Sequence, residues 1–401
     1  MTSTTASTAQ SVAPPLPVGG LLALAMTGFI CIVTETLPAG LLPQLATGLR
    51  ITESAAGQTV TAYAMGSLLA AIPLTIATQG WRRRNVLLLT IVGFLLFNSV
   101  TALSTHYGLI LLARFLAGAA AGLAWSLLAG YARRMVQPGE QGRATAIAMV
   151  GTPIALSLGV PLGTWMGAAM GWRTAFAAMS ALTVVLIVWV LARVPDYPGQ
   201  AGNQRLPLRR VLTTPGVRPV LATVMAWMLA HNILYTYIAP FAAQAGLGRR
   251  VDVLLLVFGV AALVGIAVTG KLVERNLRGT VLASLATFFS LSVVLAAAQG
   301  LPTLVYLCVA TWGLTFGGAA TLLQTALADS AGEGADVALS LNVVAWNSVI
   351  AGGGILGGLL LDHWGASSFP PAMAVLLAIG FVIAWSARDH GFRPGARSSA
   401  S

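Results

Sequence analysis

With 401 residues, 57% of them hydrophobic, only 8% charged and 44 of them glycine, the chain has too little charge to cover a soluble globule. Apolar runs of about 20 residues recur from end to end, the length that crosses a hydrocarbon core of roughly 30 Å, so the chain reads as an all-α polytopic membrane protein. The net charge of +11 does not mark a nucleic-acid binder, because the arginines gather in short links between apolar runs.

Residues 1–16 are polar, contain prolines and lack Lys and Arg, which suits a disordered tail better than a signal peptide. Twelve spans follow, near 18–41, 55–78, 85–104, 108–131, 144–167, 174–193, 217–240, 251–270, 279–299, 302–325, 337–361 and 369–387. The longest polar interruption falls after span six. It divides the chain into a six-helix half over 17–195, a central loop over 196–216, a second six-helix half over 217–388 and a tail over 389–401. With both termini on one face, that face carries 17 Lys and Arg residues and the other carries four, which predicts cytoplasmic termini. Cys31 and Cys308 lie inside apolar runs and read as small packing residues, not as a disulfide or metal pair.

Span one contains the one acid that falls inside a span, Glu35. A carboxylate at that depth costs several kcal/mol, roughly 3 or more, unless it faces a partner or water, so it is a functional candidate. Span four holds Arg114, the one cation left inside a span. At 1.5 Å per residue Glu35 lies roughly 9 Å and Arg114 roughly 10 Å below the outer face, so an ion pair between them is expected. A coupled pair of this kind suits proton transfer, with Glu35 as carrier and Arg114 tuning it. A static structural pair is the alternative.

Span seven sets Trp227, His231 and Tyr235 on one stripe beside Asn232, a face suited to sugars, nucleosides or planar drugs. His231 is a candidate second proton site or a plain hydrogen-bond donor. Span two sets Thr59, Tyr63 and Ser67 at the same spacing, and span eleven supplies Asn342 and Trp346. Asn98, Trp125 and Gln324 complete the candidate cavity lining.

Three patterns carry a family resemblance. GWRRRN, with Arg82, Arg83 and Arg84 after Gly80, is echoed by GKLVERNLRG after span eight, with Gly270, Glu274, Arg275 and Arg278. Span four reads LLARFLAGAAAG around Arg114, and Gly118 and Gly122 allow close helix approach. Span five reads GTPIALSLGVPLGTWMGAAMGWR, in which Gly159, Gly163, Gly167 and Gly171 recur every four residues and Pro161 bends the helix. Pro38 and Pro43 add a proline pair at the end of span one.

Together these resemble the major facilitator superfamily, and within it the twelve-span drug:proton antiporter and sugar-efflux branch. The first loop departs from the family pattern, with Trp81 where an aspartate is expected. The resemblance implies two pseudo-symmetric six-helix bundles that rock by alternating access, a monomer in the inner membrane, and gating roles for the loop arginines and Glu274. It implies export of a small molecule (drug, sugar or nucleoside) in exchange for protons. A proton-coupled importer of the same fold and a non-transporting receptor or scaffold are the alternatives.

An enzyme is not expected. GIAVTGKL ends in Leu272, which cannot hold the magnesium of a P-loop, and GGGILG at 352–357 lies inside span eleven, where small residues serve helix contact. No cofactor or metal is expected; the partners are the substrate, protons and the lipid bilayer.

Overall fold

A computed structural model describes residues 16–199, 208–297 and 300–395; most of the expected N-terminal tail, the middle of the central loop and the end of the C-terminal tail lie outside the described residues. Among them, eleven continuous helices are long and apolar enough to cross a membrane. The first half comprises α1 (Val18–Gly40), α2 (Glu53–Ala77), α3 (Arg83–Leu103), α4 (Tyr107–Arg134), α5 (Gln141–Met170) and α6 (Trp172–Arg193). The second half begins with α7 (Val217–Thr236).

Next comes a 47-residue helical stretch, Val251–Ala297, twice the length of one span. Its backbone leaves helical geometry at Asn276 (φ −157°, ψ 67°), and the Asn276 Oδ1 accepts the Gly279 N–H at 2.9 Å as an N-cap would. The stretch therefore counts as two spans, α8 (251–275) and α9 (277–297). The half closes with α10 (Pro302–Ala331), α11 (Val337–Trp364) and α12 (Ala366–Ser386). All twelve expected spans are present, with ends moved by a few residues.

The halves repeat one packing scheme. Helix α2 lies on α4 and α3 on α6, as α8 lies on α10 and α9 on α12. Small residues permit each close approach. A Cβ on Gly118 would sit 1.8 Å from Tyr63 O, and one on Gly66 1.8 Å from Phe115 O. In the second half a Cβ on Gly313 would meet Phe258 O at 2.3 Å and one on Gly317 would meet Ala262 O at 2.0 Å.

The same pseudo-symmetry joins the halves, through α2 against α11 and α5 against α8. A Cβ on Gly259 of α8 would lie 2.3 Å from Ser157 Cα of α5, and Val60 and Ala64 of α2 pack with Ile350 and Ala351 of α11. Further along, the contact is lost: Leu69, Ile72 and Ile76 of α2 are 55%, 53% and 64% exposed, and Val343 of α11 is 45% exposed. The molecule is thus closed at the end where α2 begins and parted at the end where α1 begins and α12 finishes.

Span five is not a simple kinked helix. Residues Ala155–Gly159 form one π-turn, and Pro161 follows it in the first turn of Val160–Met170. The wider turn places the proline where its missing N–H leaves no ladder bond broken. Gly159, Gly163 and Gly167 do form a groove, against Val33 and Leu37 of α1 and Leu41 just after it. Gly171 does not belong to it: at φ +93° it ends the helix. Both cysteines are unpaired and buried.

Candidate functional site

The polar centre of the first half is assembled on one turn of α1. Pro38 removes the N–H that would bond the Thr34 carbonyl, so this turn lacks one bond of the helix ladder. Three neighbouring helices tie onto it. Tyr63 Oη of α2 donates to Cys31 O at 2.9 Å, and Asn98 Nδ2 of α3 donates to Thr34 Oγ1 at 3.0 Å. Arg114 of α4, fully buried, donates from Nη2 to Glu35 O and from Nε to Thr59 O, both at 3.2 Å. Its guanidinium also lies over the Tyr63 ring at 4.9 Å and the Phe176 ring at 5.7 Å.

The expected Glu35–Arg114 ion pair is therefore replaced by something else. Arg114 binds the Glu35 backbone carbonyl, not its carboxylate, and spends its charge on helix carbonyls and aromatic faces. Among the described residues the Glu35 carboxylate has no hydrogen-bond or ion-pair partner, and Glu35 is 8% exposed. Arg114 positions the acid without neutralising it by contact.

The second half presents an aromatic centre. His231 stacks on Phe316 at 3.6 Å between centroids and 8° between planes, and on Tyr235 at 5.2 Å. Trp312 stands 5.2 Å and Phe258 5.9 Å from the same imidazole. Polar edges of this group have no hydrogen-bond partner among the described residues: His231 Nδ1, Trp312 Nε1 and, nearby in sequence, Trp227 Nε1. Helices α7 and α1 touch, and the Tyr235 hydroxyl is turned toward Thr36 and Glu35. The acid and the aromatic centre thus face each other across the seam between the halves.

Other expected lining residues divide. Asn342 is buried with its Oδ1 unpartnered, and Trp346 packs where α2 and α11 meet. Trp125 packs toward Gly28 of α1, half-buried. Thr59, Tyr63 and Asn98 are buried supports of the α1 turn and not open wall. Asn232 is turned toward Gly353 of α11 and donates to Met228 O of its own helix at 2.7 Å, and Gln324 is exposed.

The closed end is latched by residues that the sequence reading passed over. Tyr237 Oη donates to Gly354 O at 2.7 Å and sits 3.3 Å from Gln58 Nε2, which donates to it and, at 3.1 Å, to Gly354 O. Ser54 Oγ donates to Asp362 at 2.7 Å across the halves.

In the first arginine loop, Arg83 binds carbonyls of Thr78, Gln79 and Trp81. Arg82 pairs with Asp196, which also accepts the Arg84 N–H at 3.2 Å. Asp196 supplies from the central loop the acid that Trp81 displaces. Burial raises its carboxyl, but the hydrogen bonds and charges of Arg82 and Arg84 hold it below the usual carboxylate range. Next to it Tyr131 Oη donates to Pro195 O at 2.6 Å and Arg134 to Pro198 O at 3.1 Å, so residues 195–198 form a strap. In the second loop Arg278 donates to Ala384 O, Trp385 O and Phe392 O and caps α12, while Gly270, Glu274 and Arg275 lie at the end of α8.

Two six-helix halves, joined at one end and parted at the other around a buried acid and an aromatic cluster, define a membrane transporter. The Major Facilitator Superfamily pattern matches residues 24–352, and the chain belongs to that superfamily.

Among its relatives is the purine ribonucleoside efflux pump NepI of Escherichia coli O6:K15:H31 (strain 536 / UPEC), 31% identical over 344 residues that cover 84% of this chain and 86% of that one. The pump of the same name in Shigella sonnei (strain Ss046) is 30% identical over 345 residues, with coverage of 84% and 86%. The crystal structure of a D-xylose-proton symporter superposes with a TM-score of 0.76 at 15% identity, covering 95% of this chain and 99% of that chain. A bacterial homolog of the human lysosomal transporter Spinster, inward-facing, gives 0.69 at 12% identity, covering 97% and 100%.

Proposed function

We propose that this transporter exports a small molecule of the nucleoside class across the inner membrane in exchange for protons, with both termini in the cytoplasm and one chain as the working unit. The observation that carries the reading is the Glu35 carboxylate, held at the seam between the halves without a partner. An acid so placed is costly when charged and cheap when protonated. Its proton occupancy would therefore bias which end of the molecule is open.

In the proposed cycle Glu35 takes a proton from the outside and releases it to the cytoplasm, Arg114 holds the α1 turn that presents it, and the aromatic centre of the second half binds cargo. The Tyr237–Gln58–Gly354 latch and the Ser54–Asp362 bond close the outer end, and the arginine loops brace the cytoplasmic ends. The names of the NepI relatives favour purine ribonucleosides over the sugar and drug alternatives. The 17-to-four distribution of Lys and Arg supports cytoplasmic termini.

The test is transport in proteoliposomes under an imposed pH gradient. Accumulation of inosine in inside-out vesicles, driven by an acidic lumen, is expected of the wild type and lost in Glu35→Gln. Undiminished gradient-driven transport by Glu35→Gln would remove Glu35 from the proton path. Gradient-driven uptake only in right-side-out vesicles would establish the importer instead.

A further inference from the structure

In a chain whose aromatic residues are few, five rings meet at one place between α7, α8 and α10. Six of the eight pairs they form are tilted or edge-on, which is how rings fill a core, and the His231–Tyr235 stack is opened by 27° at 5.2 Å. The His231–Phe316 pair is different. At 3.6 Å and 8° it is a face-to-face stack of a nitrogen heterocycle on a phenyl ring.

Phe316 is placed to receive such a ring from the space between the halves. The lipid-facing stripe of α10 is marked by Leu307 and Leu314, 60% and 41% exposed. At about 100° per residue, Phe316 lies roughly 180° from Leu307 and so points inward. It is nevertheless only half-buried. One turn before it on the same inward face, Trp312 is 1% exposed and holds an Nε1–H without a hydrogen-bond partner among the described residues. An orphaned donor of that depth in a protein core costs on the order of a lost hydrogen bond unless something else accepts from it.

We infer that Phe316 is the stacking platform for a planar nitrogen heterocycle of purine size, that the His231 imidazole competes with that ring for the platform, and that Trp312 Nε1 donates to a ring nitrogen or carbonyl of the bound heterocycle. This rests on the proposed nucleoside-class export and adds where and how the base is held. It also gives His231 a role other than carrying a proton.

Equilibrium binding of inosine and of adenine to the purified full-length protein in detergent tests the assignment without requiring transport. Phe316→Leu is expected to bind both about tenfold more weakly, the effect of losing one base–aromatic stack. Phe316→Trp keeps a stacking face and is expected to stay within about twofold of wild type. His231→Ala removes the competing ring and is expected to bind about threefold more tightly. Wild-type affinity in Phe316→Leu, failure of Phe316→Trp to rescue, or weaker binding by His231→Ala would each overturn the inference. If Phe316→Leu does not fold, the Phe316→Trp and His231→Ala arms decide. A wild type that binds neither probe overturns the heterocycle assignment alone, because proton-driven export is read separately from the pH-gradient experiment.

Discussion

The two halves share a packing scheme and differ in what they enclose. In the first, hydrogen bonds from α2, α3 and α4 converge on one turn of α1 and leave a single carboxylate unpaired. In the second, the equivalent volume is filled with stacked and tilted rings whose polar edges are unpaired. Pseudo-symmetry thus supplies the frame, while chemistry is divided between an ionic side and an aromatic side. A carrier that exchanges unlike cargoes needs such a division, since water-like protons and a flat apolar ring cannot be stabilised by the same wall.

The comparison can be broken most severely at the shared frame. Gly118→Leu would drive a side chain into Tyr63 O, where a Cβ alone would already lie at 1.8 Å, and folded protein is expected to disappear from size-exclusion profiles. Gly317→Leu should do the same in the second half through Ala262 O, at 2.0 Å. If only one of the two is lethal, the frames are not equivalent.

Arg114→Leu attacks the ionic side. It leaves the Glu35 and Thr59 carbonyls without their charged donor, for an expected loss of about 2–3 kcal/mol in thermal or denaturant unfolding. Arg114→Lys keeps the charge but lacks the fork that spans two carbonyls, so it should recover only part of that loss. Full recovery would show that charge, not geometry, matters.

Tyr237→Phe tests the latch between the halves. Loss of the hydroxyl that reaches Gly354 O is expected to cost about 1 kcal/mol, seen as roughly fivefold faster deuterium labelling of the backbone amides at the start of α2. Unchanged labelling would mean that the ring, not the hydroxyl, closes this end.

The smallest effect is expected at the strap, where Asp196→Asn should cost about 0.5 kcal/mol because Arg82 is largely exposed. The folded Asp196 carboxyl titrates below its unfolded value, so its contribution is present at neutral pH and lost as pH falls through the lowered value. Wild type and Asp196→Asn should therefore differ in unfolding at pH 7 and converge below about pH 4.

Much of this was legible in the chain, for identifiable reasons. Span length, arginine placement and the depth of Glu35 follow from the bilayer and need no partner to be known. The aromatic stripe Trp227–His231–Tyr235 was readable from spacing, and Trp312–Phe316 repeats the same four-residue spacing in α10. Arg114's true acceptors were not legible, because a guanidinium chooses among carbonyls by reach within the assembled bundle. Asp196 was hidden for a similar reason: its partners lie more than one hundred residues away, across three turns of chain. Asn232 and Gln324 show the converse, that polarity on a span does not by itself fix which neighbour it faces.

The π-turn at Ala155–Gly159 has a consequence at the level of heredity. One helix serves two clients there, with Gly159, Gly163 and Gly167 against α1 and Ser157 against Gly259 of α8. The extra residue in that turn rotates everything after it by about 100° relative to an uninterrupted helix. Loss of a single codon within 155–159 would leave hydrophobicity, span count and topology untouched, yet swing the glycine face away from α1. Many substitutions there should be survivable where a one-codon deletion is not.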